Sequence, residues 1–375
     1  MMFTALNEFD QSTMPSTKTK SPNIAVDLLD WYDRHARVLP WRVPPKQSKD
    51  GLRPDPYHIW LSEVMLQQTQ VATVRDYYLK FLRYWPSIED LAKAEPDDVM
   101  KAWAGLGYYS RARNLKKCAE MVAGQLNGNF PSRIDELKKL PGIGEYTSAA
   151  IASIAFGKPV PVVDGNIERV MTRLHRIDKP VREAKEIIKT LVADILPKDR
   201  PGDFAQSMMD LGATLCTPKN PACSLCPINQ SCNAFAAGDM ELYPVKVPKQ
   251  ERPTRKGAAF VIQNAKGQIL LRKRADKGLL GGMSEVPGTV WTARIDGQTG
   301  LEALPFLGKW QHCGIARHSF THFHLELEVW HLQDVSRAID EGWWSDMDQL
   351  SGEALPTVMR KVIILALPDA FKGNS

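Results

Sequence analysis

Leu140-Pro141-Gly142-Ile143-Gly144 is the stretch on which the fold turns. Residues 134–140 before it and 144–156 after it carry apolar side chains at helical spacing, so these five residues read as a hairpin between two helices. The glycines permit a tight turn, and the backbone N–H groups left free where the second helix starts point outward and can bind a phosphate. Connections of this kind also arise for structural reasons alone, so the chemistry has to be read from what surrounds the hairpin.

Twenty residues past Gly144, Val162-Val163-Asp164-Gly165-Asn166 leads into a helix with Arg169, Arg173 and Arg176. Asp164 reads either as an N-cap or as a functional carboxylate. Further on, helical periodicity returns over 181–196 and 203–215. Upstream, 57–84 reads as one long helix or two closely joined, and 108–126 as another, with short Gly/Pro turns between most of these segments. Within the upstream helix Glu63 is flanked by Trp60, Leu61, Val64, Met65 and Leu66. A carboxyl among such side chains is partly desolvated, and its pKa rises until it keeps a proton to give at neutral pH. The plainer alternative is a Glu that reaches solvent from an amphipathic helix.

Cys216, Cys223, Cys226 and Cys232 form a C-x6-C-x2-C-x5-C arrangement and take four of the six cysteines; Cys118 and Cys313 are the others. In a reducing compartment disulfides do not persist, and four thiolates this close signal a metal centre of zinc or iron and sulfur. Zinc sites usually pair two short C-x(2–4)-C loops, and the first gap of six departs from that, which favours one [4Fe–4S] cluster. Its role is structural or redox. The same loop can present Lys219 to a phosphate.

With 375 residues the chain has room for two domains, and 43% hydrophobic against 24% charged residues is the balance of a folded globular protein. The formal charge of +5 is uneven, since residues 101–200 hold 18 Lys/Arg against 11 Asp/Glu. Such a surplus suits a polyanionic partner, or is simply a solvated face. Residues 1–22 are polar and Ser/Thr-rich, without the apolar core of a signal peptide, and read as a disordered tail. No apolar run reaches the roughly 18 residues that suggest a membrane span, which points to the cytoplasm.

After residue 236 the pattern changes. Proline-punctuated, charged residues 239–253 read as an extended linker. Residues 256–264 and 268–273, separated by Ala265-Lys266-Gly267, read as a strand hairpin, 322–332 as a strand, and 347–350 and 356–367 as helix, together an α+β domain.

The segments Ser62-Glu63-Val64-Met65-Leu66-Gln67-Gln68-Thr69-Gln70-Val71 and Gly105-Leu106-Gly107-Tyr108-Tyr109-Ser110-Arg111-Ala112-Arg113-Asn114-Leu115, the hairpin, Val163-Asp164-Gly165-Asn166 and the cysteine loop together resemble the helix–hairpin–helix DNA glycosylases, specifically the MutY-type adenine glycosylases. The similarity covers nearly everything after Asn23. It implies a multidomain fold: a mainly α glycosylase domain over 23–236 with an iron–sulfur loop, a linker over 237–255, and an α+β Nudix-like domain over 256–370. It also implies a monomer that removes adenine mispaired with 8-oxoguanine, or with guanine, in duplex DNA.

Hydrolysis of an N-glycosidic bond needs an acid for the leaving base and an anion for the sugar cation, the two-carboxylate logic of glycoside hydrolysis. By resemblance Glu63 is the acid, Asp164 the anion, and Asn166 and Tyr146 support them. Endonuclease III-like relatives place a Lys where Tyr146 stands, whose amine forms the Schiff base that leads to strand cleavage. Tyr146 cannot do so, which implies a monofunctional enzyme. Arg37, Trp41, Leu66 and Gln206 match positions around the extruded adenine, although Trp41 also reads as core. Gln68, Leu106 and Tyr108 match positions that enter or probe the gap in the duplex, and Gly142 and Gly144 belong to the DNA-binding hairpin.

The C-terminal region resembles a Nudix-related domain that senses 8-oxoguanine, through Leu279-Leu280-Gly281-Gly282-Met283-Ser284-Glu285-Val286-Pro287-Gly288. The Arg-Glu and Glu-Glu pairs that bind magnesium in active Nudix hydrolases are absent, so pyrophosphate hydrolysis is not expected. In His318-Ser319-Phe320-Thr321-His322-Phe323-His324, the residues Phe320, Thr321 and His322 match the loop that reads the damaged base. Family members often carry Ser where this chain has Thr321. Three histidines in seven residues can suggest metal, but no paired Cys or carboxylate accompanies them. Residues 46–56 look like a surface insertion. The competing classes are a bifunctional glycosylase/lyase for oxidised pyrimidines and a non-catalytic DNA-binding or nucleotide-processing protein.

Overall fold

The computed structural model describes residues 23–247, 251–336 and 341–372, so the tail at 1–22 lies outside the described residues. The first domain consists of helices α1 (Ile24–His35), α2 (Pro45–Lys49), α3 (Pro56–Leu66), α4 (Val71–Tyr84), α5 (Ile88–Lys93), α6 (Pro96–Trp103), α7 (Ser110–Gln125), α8 (Ile134–Leu137), α9 (Glu145–Ile154), α10 (Gly165–His175), α11 (Val181–Ile195), α12 (Pro201–Thr214) and α13 (Asn233–Ala237). The segment 57–84 is two helices, parted by a turn at 67–70. Several starts are written locally: Asn23 caps α1, Ser87 and Asp90 form a capping box on α5, and Pro56, Pro96 and Pro201 open their helices.

Helix α12 is the axis of this domain, with every residue from Pro201 to Gly212 buried. Its glycines make that possible. A Cβ at Gly212 would lie 2.7 Å from the Asn166 Cβ, and one at Gly202 2.8 Å from the Ile154 Cα, so α12 packs backbone-close against α10 and α9. In the hairpin Gly142 adopts φ +76°, and a Cβ there would meet the Asn114 side chain at 2.8 Å.

The second domain is a mixed six-stranded sheet built from β1 (Thr254–Asn264), β2 (Ile269–Lys273), β3 (Ser284–Glu285), β4 (Gln311–Ser319), β5 (His324–Val335) and β6 (Trp343–Ser345). The order is β3-β2-β1-β5-β4, with β6 also on β2; β1 and β5 run parallel and the other pairs antiparallel. The expected hairpin forms, with Gln263 opposite Ile269. Helix α14 (Thr357–Ala366) covers one face through Val358, Met359, Val362 and Ile363. The helix expected at 347–350 is a turn leading into a short 3-10 segment, Leu350–Gly352.

The expected linker needs correction. The first half of the linker is not extended. Its Met240–Leu242 segment forms a 3-10 turn, Arg173 Nε donates to the Tyr243 carbonyl at 3.1 Å, and Arg176 pairs with Asp239 at 2.7 Å, so arginines in and just after α10 fold it onto the first domain. The segment 46–56 is mostly exposed, as expected of it, and is anchored where Lys49 of α2 pairs with Asp33 of α1 at 2.5 Å.

The loop that resembles a Nudix core joins the domains. Met283 is fully buried in the core of the helical domain, together with Ala354. Arg113 of α7 donates to the Gly281 carbonyl, and Lys273 pairs with Asp97 at 2.5 Å. The sheet domain is therefore seated on α6 and α7.

Candidate active site

Helix α3 decides between the two readings of Glu63. Residues 59–65 are all buried, so the helix has no solvent-facing stripe for a carboxylate to follow. Glu63 is 6% exposed, and Tyr146 Oη in the first turn of α9 donates to its Oε2 at 2.7 Å. Burial pushes the Glu63 pKa up to about 7. The Tyr146 hydrogen bond and Arg42 oppose the rise, and the negative charge of Asp164 adds to it. Tyr146 is held protonated, first by burial and then by Glu63, which keeps it a donor.

Asp164 is an N-cap whose second carboxylate oxygen has a different partner. Its Oδ1 caps α10, accepting from Ile167 N at 2.7 Å, while Oδ2 accepts from Asn166 Nδ2 at 3.0 Å. Burial raises its pKa, and these two donors with Arg169 work against that. The chain of bonds continues outward: Arg169 donates to Asn166 Oδ1 (2.9 Å), to the Gly212 carbonyl (2.6 Å) and to the Cys216 carbonyl (2.8 Å). The carboxylate is thus braced from the cysteine loop.

Glu63 and Asp164 line one cavity of about 670 Å³, together with Tyr146, Asn166, Arg37, Trp41, Leu66, Gln206 and Gln68. Arg42, in the cavity wall, and Asp210 behind it escaped the sequence reading. Arg42 and Arg37 both bind Asp210, which is fully buried on α12, at 2.7 and 2.5 Å. Arg42 also lines the cavity and helps to hold down the Glu63 pKa. The available signal was an aspartate set among the apolar Met208, Met209, Leu211 and Gly212 of one helix.

The residues matched to duplex probing divide. Gln68 and Tyr108 are exposed and adopt φ of +57° and +48°, a left-handed backbone that costs a non-glycine residue about 1 kcal/mol. Leu106 does not stand with them. It is 5% exposed, with its side chain in the core and its carbonyl bonded to Arg111.

A second cavity, of about 500 Å³, lies between the domains and is lined by Gln68, Tyr108, Arg113, Phe320, Thr321 and His322 among others. Tyr108 Oη and Thr321 Oγ1 are 2.9 Å apart across it. Phe320 stacks on Phe323 at 4.8 Å and meets His318 edge-on at 4.6 Å, which stiffens the loop beneath Thr321. Gln68 lines both cavities. Gly142 and Gly144 are exposed on the hairpin, Gly144 as the N-cap of α9 with no side chain in the way of its backbone.

None of the four loop cysteines takes part in a disulfide. Among the described residues no three His, Cys, Asp or Glu side chains converge as they would around a single ion. Burial first, and then the neighbouring thiols, raise Cys223, Cys232 and, to about 12, Cys226. Four thiols gathered on one short loop suit a multi-iron cluster, whose irons would take the place of the thiol protons. Arg173 donates to Cys216 Sγ at 3.3 Å and to the Thr217 carbonyl at 2.8 Å, supplying the positive charge such a donor set needs.

Family models agree with this layout. One described as HhH-GPD superfamily base excision DNA repair protein matches residues 61–197, one described as the iron–sulfur binding domain of endonuclease III matches 216–232, and a NUDIX domain model matches 258–365. The adenine DNA glycosylase of Homo sapiens is 35% identical over 396 residues, covering 89% of this chain and 72% of its own. That of Arabidopsis thaliana is 39% identical over 323 residues, 77% of this chain and 51% of its own, so the chain spans about half the plant protein's length. The solved structure of a thermostable thymine-DNA glycosylase is 29% identical with a TM-score of 0.51, covering 57% of this chain and 95% of its own.

Hairpin, carboxylate cavity and cysteine loop together define a helix–hairpin–helix base-excision repair protein that carries one [4Fe–4S] cluster, followed by a Nudix-like domain. Within that class the chain belongs to the adenine DNA glycosylase family.

The raised Glu63 pKa carries a stability prediction. Below about pH 4.5, the ordinary value, the carboxyl is protonated in folded and unfolded chains alike; as pH rises towards about 7 the unfolded chain ionises first, and folding loses stability until the folded pKa is passed. Glu63→Gln keeps an acceptor for Tyr146 and removes this titration. The variant should equal the wild type near pH 4.5 and exceed it by about 3 kcal/mol at pH 8, measured by unfolding at the two pH values.

Proposed function

We propose that the protein hydrolyses the N-glycosidic bond of adenine paired with 8-oxoguanine, or with guanine, in duplex DNA and leaves an abasic site. The observation that carries this reading is a buried, proton-bearing Glu63 and a braced Asp164 lining one cavity.

In this reading the adenine leaves the stack and enters the cavity, at a cost of a few kcal/mol for unstacking. Arg37, Trp41, Leu66 and Gln206 hold it there. Tyr146 occupies Oε2 of Glu63, which leaves Oε1 to deliver the proton to a ring nitrogen of adenine. The C1′–N9 bond breaks, its electron pair departs with the base, and the sugar cation is stabilised by Asp164, itself held by Asn166. Water then attacks C1′ and gives its proton to the Glu63 carboxylate. No lysine lines the cavity among the described residues, which supports a monofunctional course without a Schiff base. Cys216, Cys223, Cys226 and Cys232 would hold the cluster, which would supply rigidity to the loop that braces Asp164 through Arg169.

Gln68 and Tyr108 enter the duplex gap, and Phe320, Thr321 and His322 read the opposite base from the cavity between the domains. Gly142 and Gly144 hold a backbone phosphate. Nucleotide hydrolysis is disfavoured. Glu285 is the carboxylate left in the Nudix-like stretch 279–288; it is 5% exposed, and Arg272 and Arg274 each take one of its oxygens. The protein acts as a monomer in the cytoplasm, on the nucleoid in a bacterial cell, with a glycosylase domain over 23–236, a linker over 237–255 and a reading domain over 256–370. No helix among the described residues is long and apolar enough to cross a membrane.

The test is a set of duplexes carrying adenine opposite 8-oxoguanine, thymine glycol, or neither. Scission of the first alone, and only after alkali, is expected; spontaneous cleavage of the thymine glycol strand would overturn the reading. A chain ending after Val247 keeps the Arg173 anchor of the linker and should retain some adenine removal while losing most preference for 8-oxoguanine. Unchanged preference would show that the second domain reads something else.

A further inference from the structure

We propose that Arg111 is the positioning residue of lesion engagement: one buried guanidinium that fixes the end of the Glu63 helix and the turns bearing Gln68 and Tyr108 as a single rigid body. This rests on the functional reading above.

Arg111 stands on α7, 7% exposed, and every acceptor its hydrogen bonds reach is neutral. Its Nη1 donates to the carbonyls of Val64, Met65 and Gln67 at 3.0, 2.8 and 2.6 Å. Its Nη2 donates to Thr69 Oγ1, Leu106 O and Gly107 O, each at 3.1 Å. The guanidinium carbon lies 5.2 Å from the Trp103 ring centre and 5.5 Å from that of Tyr108.

A buried cation without an anion is expensive, and a helix C-terminus can be closed by glycine and water instead. The arrangement makes sense for what else it joins. The carbonyls of Val64 and Met65 belong to the last turn of α3, directly after Glu63, where the helix end carries partial negative charge. Gln67 and Thr69 flank Gln68, and Gly107 precedes Tyr108. Both Gln68 and Tyr108 are non-glycine residues at positive φ, a conformation that persists only where surrounding bonds over-determine it. Arg111 supplies those bonds on both turns at once. The planar fork reaches six acceptors; a lysine ammonium has three donors and no plane to lay between Trp103 and Tyr108.

The experiment measures single-turnover adenine excision opposite 8-oxoguanine and opposite guanine, using the full chain with its cluster, and takes the ratio of the two rates. Arg111→Lys should lower the ratio about tenfold, the loss expected when charge-assisted bonds to the turns are given up. In a Gln68→Ala/Tyr108→Ala background the same change should alter the ratio less than about twofold, because the side chains it positions are gone. A purely structural role would lower both rates together or add its full effect in either background, and either result overturns the proposal. Should Arg111→Lys fail to fold, Thr69→Val removes one acceptor and should shift the ratio the same way by about threefold; no shift overturns it. A wild type inert on both duplexes removes the functional reading and this one together.

Discussion

Glu63→Gln is expected to lower single-turnover adenine excision by a factor of about a hundred to ten thousand, the range that general acid catalysis supplies, while duplex affinity stays within about threefold of wild type. Gln matches the shape of Glu and still accepts from Tyr146 Oη, so the cavity that receives the base is preserved. What is lost is the transferable proton and, after departure of the base, the carboxylate that takes one from water. The measurement is a rate at saturating enzyme beside a binding titration on the same duplex. A loss of binding with little change in rate would make Glu63 a structural residue.

Asp164→Asn should reduce the rate by about a hundred- to a thousandfold through loss of the charge that faces the sugar cation. The substitution separates the two roles of this residue. Asn caps a helix about as well as Asp, so the bond from Ile167 N and the start of α10 are retained. Unfolding midpoint and excision rate measured on one preparation should therefore part company. If the midpoint falls and the rate per folded molecule does not, Asp164 is a cap and nothing more.

The parts of this molecule that could be read from its sequence are those whose chemistry is local. The cysteine spacing, the glycines of the hairpin, the apolar neighbours of Glu63 and the β1–β2 turn each lie within a few residues of what they determine. The residues that escaped act across the chain. Asp210 becomes meaningful once Arg37 and Arg42 are beside it, about 170 positions away, and Gly212 once its missing side chain admits Asn166. Strand β4 gave little signal because it is exposed along most of its length and its pairing is interrupted between His312 and Gly314. Leu106 misled by proximity, since it sits two positions from Tyr108 and yet turns into the core. Proline content made the linker look extended, but the carbonyl of Tyr243 and the carboxylate of Asp239 find arginines in and just after α10.

In the proposed reaction a carboxyl kept protonated by burial delivers its proton to a base held beside an ionised partner. The pH dependence of single-turnover excision from the adenine:8-oxoguanine duplex tests it most directly. Glu63 must hold its proton, so the rate should fall as pH rises through about 7, and it should fall again in acid as Asp164 takes up a proton. Glu63→Gln should lack the upper limb. A wild-type rate that is level from pH 6 to 9, or an upper limb that survives in Glu63→Gln, would contradict the account.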